Sequence, residues 1–185
     1  MRFRAFISVE IEPSDALRGL LDDLKGSGAD LKVVRPDLMH VTLKFLGDTE
    51  ESLVADISER IGRAVDPVRQ FDIGLKGMGA FPSMSSIRVV WVGIEDDGRL
   101  LEIARGIEQS MVDLGFERES RGFKAHLTVA RTRSAGGLSA LQNLVRENAV
   151  RDFGRYRVNR LLLMKSVLSP SGPTYSVVTE RRLAE

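Results

Sequence analysis

The 185-residue chain contains no cysteine, which excludes a disulfide framework and every thiolate metal site. Histidine is almost as scarce, with two residues, beside one tryptophan and two tyrosines. Long hydrophobic runs are missing as well: no apolar stretch nears the roughly 20 residues of a membrane-spanning helix. The opening "MRFRAFISVEIEPSD" has a short apolar part followed at once by acidic residues, which is not the layout of a secretory signal, so a cytoplasmic protein with no membrane contact is expected. A charge excess is absent too. With 27 basic against 26 acidic residues the formal net charge is +1, whereas proteins that wrap long nucleic acid carry a clear basic excess. Any phosphate recognition should therefore be local, a pocket rather than a track.

What is present is an ordinary apolar content, 43%, enough for one compact domain or two intimate lobes over 1–185. Residues 3–11 read as a strand. "PSDALRGLLDDLKGSG" reads as a helix capped by Ser14, with Leu17, Leu20, Leu21 and Leu24 at helical spacing. A strand over 39–46, ended by Gly47-Asp48, leads into a second helix from Thr49, in which Leu53, Ile57, Ile61 and Val65 share a face. Strands near 70–79 and 87–94 follow, separated by "AFPSMSS". The second half repeats the plan: a helix with Leu100, Ile103, Ile107, Met111 and Leu114 inward, the strand "FKAHLTVAR", a short helix near 138–148, a long strand "RVNRLLLMKSVL", the turn "SPSGP" and a last strand near 175–181. Each half thus offers strand, helix, His-bearing strand, helix and strand, as an internal duplication would. The hairpin-like late strands favour antiparallel pairing.

The two histidines occupy matching contexts, "MHVTLKFLG" and "KAHLTVAR". In a strand, residues i and i+2 share a face. His40 and Thr42 therefore face one way, with Val41, Leu43 and Phe45 opposite; His126 and Thr128 are presented likewise over Leu127 and Val129. A plain solvated sheet face would carry the same pattern. The chemical reading is more specific. An imidazole titrates near 6.5, so one His can be neutral while its partner is protonated, which is what concerted general base and general acid work on a phosphodiester requires. The Thr hydroxyls stand where donors to the phosphate oxygens are needed. A catalytic zinc usually takes three protein ligands, and two His with no Cys and no adjoining carboxylate cluster do not supply them. No metal or other cofactor is expected.

"HVTL" and "HLTV", the opening "RAFISVEI", the "KFLGD" after the first motif and the Arg closing "HLTVAR" resemble the two-histidine phosphoesterases, in particular the RNA 2′,3′-cyclic phosphodiesterases, also called 2′-5′ RNA ligases. The resemblance covers essentially the whole chain. It implies an α+β, bilobal fold: two pseudo-symmetric lobes, each a mainly antiparallel sheet with outer helices, and an active-site cleft between them. It implies metal-independent hydrolysis of a terminal 2′,3′-cyclic phosphate on RNA to a 2′-phosphate. The expected partners are RNA 3′ ends such as tRNA fragments, or small nucleotides, and a monomer is expected. It also implies His126 as the base that activates water and His40 as the acid; spacing alone treats the two alike. Thr42, Thr128 and Arg131 carry over as phosphate contacts. Strict alternation puts Arg131, five residues after His126, on the wrong face, so the strand must bulge near Ala130 for it to reach the phosphate.

Three further residues are candidates for substrate binding: Lys44, continuing the His40–Thr42 face; Phe81, in a loop; and Arg88. Phe45 is expected in the core, and Trp91 between sheet and helix. Ser166 and Tyr175 are weaker candidates to line the cleft. "KGMGAFPSMSSIR" lacks P-loop spacing and is not a nucleotide cradle. Joining of RNA ends at the same site, turnover of small cyclic nucleotide phosphates, and non-catalytic binding of RNA ends or nucleotides are the alternative activities.

Overall fold

The computed structural model describes residues 1–170 and 172–185. In chain order these form β1 (Arg2–Glu10), α1 (Asp15–Gly26), β2 (Leu31–Val33), β3 (His40–Glu50), α2 (Val54–Val65), β4 (Phe71–Ser83), β5 (Ser86–Glu95), α3 (Arg99–Val112), β6 (His126–Thr132), α4 (Leu138–Glu147), β7 (Asp152–Val158), β8 (Arg160–Ser169) and β9 (Gly172–Arg182). The strands make two sheets, β3-β1-β8-β9 and β2-β6-β5-β4-β7, with antiparallel pairing throughout the named strands. Helices α2 and α3 pack against the first sheet, α1 and α4 against the second. The fold is the expected α+β bilobal one.

The halves of the sequence are not the lobes. β1 enters the first sheet, α1 crosses to cover the second, and β3 returns to the first. From β5 onward the same moves are made with the sheets exchanged: β5 lies in the second sheet, α3 covers the first, and β6 lies in the second. The order β6-β5-β4-β7 thereby repeats β3-β1-β8-β9 position for position. The buried apolar side chains of both lobes form one connected cluster.

Helix α1 shows why these elements form where they do. The Ser14 hydroxyl accepts from the Leu17 amide at 3.2 Å, capping the first turn, and donates to the Phe153 carbonyl at 2.9 Å, tying the cap to β7. Leu17, Leu20, Leu21 and Leu24 are buried, as their spacing predicts. Burying each such side chain contributes about 1.5–3 kcal/mol.

Several boundaries differ from expectation. β3 does not stop at Gly47-Asp48: Gly47, at φ 69°, absorbs an irregularity and pairing continues to Glu50. Helix α2 accordingly starts at Val54, after a short 3-10 turn. The strand expected through "RVNRLLLMKSVL" is two strands, since the chain leaves the second sheet at Val158 and joins the first at Arg160. Val158 and Leu161 are buried on either side of Asn159, whose carbonyl is occupied by the Leu183 amide. β4 and β5 extend into "AFPSMSS", leaving a turn at 84–85. The turn expected at "SPSGP" includes Ser171, which lies outside the described residues.

Candidate active site

β3 and β6 come from different sheets and lie against each other. Each carries its His-x-Thr on the side away from the helices, and each contains the same irregularity. In β3 the register jumps between the pairs Ser8–Thr42 and Ile7–Lys44, leaving Leu43 as the extra residue. In β6 it jumps between Trp91–Thr128 and Val90–Ala130, leaving Val129 as the extra residue. Leu43 and Val129 are both buried and stand at the same distance from their histidines. A bulge of one residue inverts the alternation beyond it.

That inversion brings Arg131 back onto the face of His126 and Thr128. The sequence required a bulge near Ala130, and the structure has one at Val129. Arg131 is exposed, and among the described residues it has neither an ion pair nor a hydrogen-bonded side-chain partner. Its charge is felt across the cleft at His40 and Tyr175.

The same inversion overturns two expectations on β3. Lys44 does not continue the His40–Thr42 face. It turns inward and is buried, and its Nζ donates to Glu108 Oε2 at 2.7 Å and to the Glu117 carbonyl at 3.0 Å. Phe45 is not core: it is 65% exposed on the cleft face, beside Phe6.

The two histidines are held alike. His40 Nδ1 lies 2.7 Å from the Leu38 carbonyl, and His126 Nδ1 lies 2.7 Å from the Lys124 carbonyl. A carbonyl only accepts, so in both rings Nδ1 carries the proton that is donated. This leaves Nε2 as the nitrogen available to take or give a proton. An aromatic edge braces each ring: Tyr175 meets His40 at 5.3 Å and 88°, and Phe81 meets His126 at 5.2 Å and 89°. Phe6 adds a tilted contact to His40 at 4.8 Å. Among the described residues no protein group hydrogen-bonds to the Thr42 or Thr128 side chain.

The surroundings of His40 set its protonation. Burial holds the imidazole below its ordinary value, the Leu38 carbonyl opposes that, and the Arg131 charge adds to the lowering. Burial also pushes the Tyr175 phenol up, against a smaller pull from Arg131. Replacing Arg131 by Met should therefore raise the His40 pKa, and a nuclear magnetic resonance titration of the ring protons in the free protein checks this. An unmoved or lowered value would place Arg131 away from His40.

Phe81 stands by His126 and stacks at a tilt on Trp91, ring centroids 5.3 Å apart. Trp91 is not between sheet and helix. It pairs with Thr128 and lies over Gly79, where a Cβ would meet its ring at 2.1 Å. Arg88 is exposed at an irregularity between Ile87 and Val89 and contacts neither histidine. Ser166 and Tyr175 are cross-strand partners, and Tyr175 reaches His40.

Sequence reasoning missed Phe6 and Ser8. Both lie on the cleft face of β1, Ser8 opposite Thr42 and Phe6 opposite Phe45. The period-2 alternation of β1 was the available signal, but which face meets the cleft depends on pairing with β3. The Ser8 hydroxyl and the Trp91 indole N–H are the two buried side-chain polar atoms without a partner among the described residues. They occupy equivalent positions, each opposite the Thr of its motif.

Beside His40 is a cavity of about 150 Å³ lined by Ser8, Leu162, Met164, Tyr175 and Val177. A larger, open hollow of about 550 Å³ near Asp22, Asp23 and Arg151 lies in the seam between α1 and α4 and contains neither histidine. Among the described residues no group of three or more His, Cys, Asp or Glu side chains is arranged to hold a metal ion. No helix among them is long and apolar enough to cross a membrane.

The two His-x-Thr strands repeat one another in pairing, bulge and ring support, as a duplicated unit would. The chain belongs to the LigT-like phosphoesterase family, whose model it matches twice in succession, over residues 7–91 and 92–175. It is 35% identical to an RNA 2′,3′-cyclic phosphodiesterase of Archaeoglobus fulgidus, covering 93% of this chain and 96% of that one. To an enzyme of the same name from Methanothermobacter thermautotrophicus it is 33% identical, over 99% and 100%. Among solved structures it resembles a Thermus thermophilus protein, TT0787 (TM-score 0.78, 26% identity, 97% of both chains). It also shares the fold of Escherichia coli LigT complexed with 3′-AMP (TM-score 0.77, 21% identity, 100% of both chains).

Proposed function

We propose that this cleft hydrolyses the 2′,3′-cyclic phosphate at RNA 3′ ends to a 2′-phosphate, in a monomeric cytoplasmic enzyme that needs no metal. The observation that carries the reading is the paired geometry. Two imidazoles have Nδ1 pinned to carbonyls and Nε2 free, each two residues from a hydroxyl that has no partner among the described residues, and Arg131, without an ion pair among them, lies on the strand of His126 with its charge felt at His40. The names of the relatives supply the substrate.

In this mechanism water attacks phosphorus in line with the P–O3′ bond. His126 Nε2 takes the proton of the water as the new P–O bond forms. The P–O3′ bond breaks, and His40 Nε2–H delivers its proton to O3′. Thr42, Thr128 and Arg131 donate to the non-bridging oxygens, where charge builds in the transition state. His40 is set against protonation in the free protein. A bound phosphate cancels the Arg131 charge and adds a negative one of its own, and both changes favour the imidazolium. Because His40 serves the leaving oxygen, the terminal nucleoside lies on the His40 side of the cleft.

The test is to incubate the protein with RNA ending in 2′,3′-cyclic phosphate, with and without EDTA, and locate the product phosphate. A 2′-phosphate formed at equal rates in both is expected. A 3′-phosphate would reverse the assignment of the leaving oxygen, and loss with EDTA restored by a divalent ion would require a metal. A 2′-5′ linkage formed with a 5′-hydroxyl RNA would add ligation. Unchanged RNA with turnover of a small cyclic nucleotide phosphate, or binding without turnover, would replace the RNA reading.

A further inference from the structure

The carbonyl that fixes each histidine comes from the segment just before its strand, and the two segments are built differently. The Leu38 carbonyl belongs to a 3-10 turn, Pro36–Leu38. Backbone bonds close that turn, from the Leu38 amide to Arg35 at 3.0 Å and from the Met39 amide to Pro36 at 3.4 Å. A further one ties the segment to the opposite His-bearing strand, from the Val34 amide to the carbonyl of the bulge residue Val129 at 2.8 Å. The Lys124 carbonyl has no such frame. It lies in an irregular stretch, 116–125, that carries the chain from α3, over the first sheet, to β6 in the second. Among the described residues no backbone-to-backbone hydrogen bond holds 117–124.

Side chains hold it instead. Lys44 Nζ donates to the Glu117 carbonyl at 3.0 Å and to Glu108 Oε2 at 2.7 Å, and Glu108 Oε1 accepts from the Glu119 amide at 2.8 Å. Among the described residues the other bond from this stretch to the rest of the protein, Arg118 to Gln109 at 3.2 Å, is at the surface. Lys44 lies on the strand of His40, four residues beyond it and just past the bulge at Leu43. Each approach segment is thus tied to the opposite His-bearing strand next to its bulge, one by a backbone amide and the other by a buried ammonium. The position in β6 that corresponds to Lys44 is Ala130, which has no side chain to reach across.

We propose that Lys44 and Glu108 are positioning residues for His126. They hold the stretch that presents the Lys124 carbonyl, which keeps the proton on His126 Nδ1 and leaves Nε2 to accept one. The pair touches no substrate, and it registers the base of one lobe against the acid-bearing strand of the other. The inference rests on the reading of His126 as the base of a phosphodiesterase.

The experiment uses Lys44→Met combined with Glu108→Leu, an apolar pair that can take the place of a buried ionic one but cannot hold the Glu117 carbonyl or the Glu119 amide. On a 2′,3′-cyclic phosphate substrate, kcat should fall about 10- to 100-fold, the cost of an ångström-scale misplacement, while KM stays close to that of the unaltered protein. The second readout needs no substrate. Nitrogen-15 shifts of the rings, taken in alkaline solution where both are neutral, should show His126 turning from the Nδ1–H tautomer to a mixture, with His40 unchanged. Ile61→Val, which loosens the core behind α2 without touching the stretch, should move neither readout. If the double replacement does not fold, the His126 tautomer in Lys44→Met, measured below its melting temperature, decides. An unmoved tautomer would show that the packing of Phe123 and Ala125 holds the Lys124 carbonyl unaided, and it would overturn the proposal. Unmoved kcat, or equal loosening of both rings, would do the same. If the unaltered protein turns over no cyclic phosphate, the phosphodiesterase reading falls, and the tautomer still decides whether the tie exists.

Discussion

His40→Ala and His126→Ala are each expected to lower kcat for a 2′,3′-cyclic phosphodiester by about 10²–10⁴-fold, the range for one general acid or base. The double replacement should cost less than the product of the two, because the proton transfers belong to one concerted event. Asn at either position supplies the control. Its amide N–H can reproduce the hydrogen bond to the Leu38 or Lys124 carbonyl but cannot shuttle a proton, so it should be as inactive as Ala while binding substrate normally. The pH profile carries a second signature. Because burial and Arg131 hold His40 low in the free protein, the acidic limb of kcat/KM should lie below the ordinary imidazole range. In kcat, which reports the complex, the phosphate charge should move that limb upward. The limbs belong to the pair rather than to one ring, so the direction of movement is the test. Near-full activity in both single variants would end the acid–base assignment.

Much of this site was legible because it obeys the strand period. His40, Thr42, His126 and Thr128 needed only i and i+2 on one face. The repeat of strand, helix and His-bearing strand was also readable, and the family model matches it as two copies. What was not legible is what happens three residues past each His. A bulge at Leu43 or Val129 leaves no mark in residue type, since both remain buried apolar side chains as alternation would have them. It is visible only as a jump in pairing with β1 or β5. Everything beyond it inverts: Lys44 goes in, Phe45 comes out, and Arg131 joins the face of His126 and Thr128. In β6 the functional demand on Arg131 pointed to the bulge, while in β3 nothing did. The exchange of helices between lobes was hidden for a similar reason, because periodicity tells a helix which face to bury but not which sheet will cover it. Trp91 was misplaced because Gly79, which makes room for its ring, lies on the neighbouring strand.

The inverted Lys44 also yields the largest expected effect on stability. Its side chain is only 2% exposed, against 21% for Glu108. Burial pushes the Glu108 carboxyl up, but the hydrogen bond from Lys44, the Glu119 amide and the nearby Lys44 and Arg118 charges together bring it below its ordinary value. Glu108→Ala would leave a buried ammonium with one carbonyl for company, and breaking a buried pair this way costs about 3–5 kcal/mol. For a chain of this size that is a fall in melting temperature of roughly 6–20 °C. Lys44→Met should cost less, since it removes the buried charge and leaves a carboxylate that water can reach. Combining Lys44→Met with Glu108→Leu should recover most of the loss, as an apolar pair can replace a buried ionic one. The equivalent residue in the other lobe is already apolar, Ala130, fully buried behind the bulge at Val129. The bulge therefore does not require an ion pair to form. What the pair adds on β3 is a tie from the His-bearing strand to α3 and to the segment around Glu117 and Glu119. Thermal melts of the three variants separate these contributions. A Glu108→Ala melt equal to that of the unaltered protein would mean that Lys44 escapes to solvent and that β3 keeps its bulge without the tie.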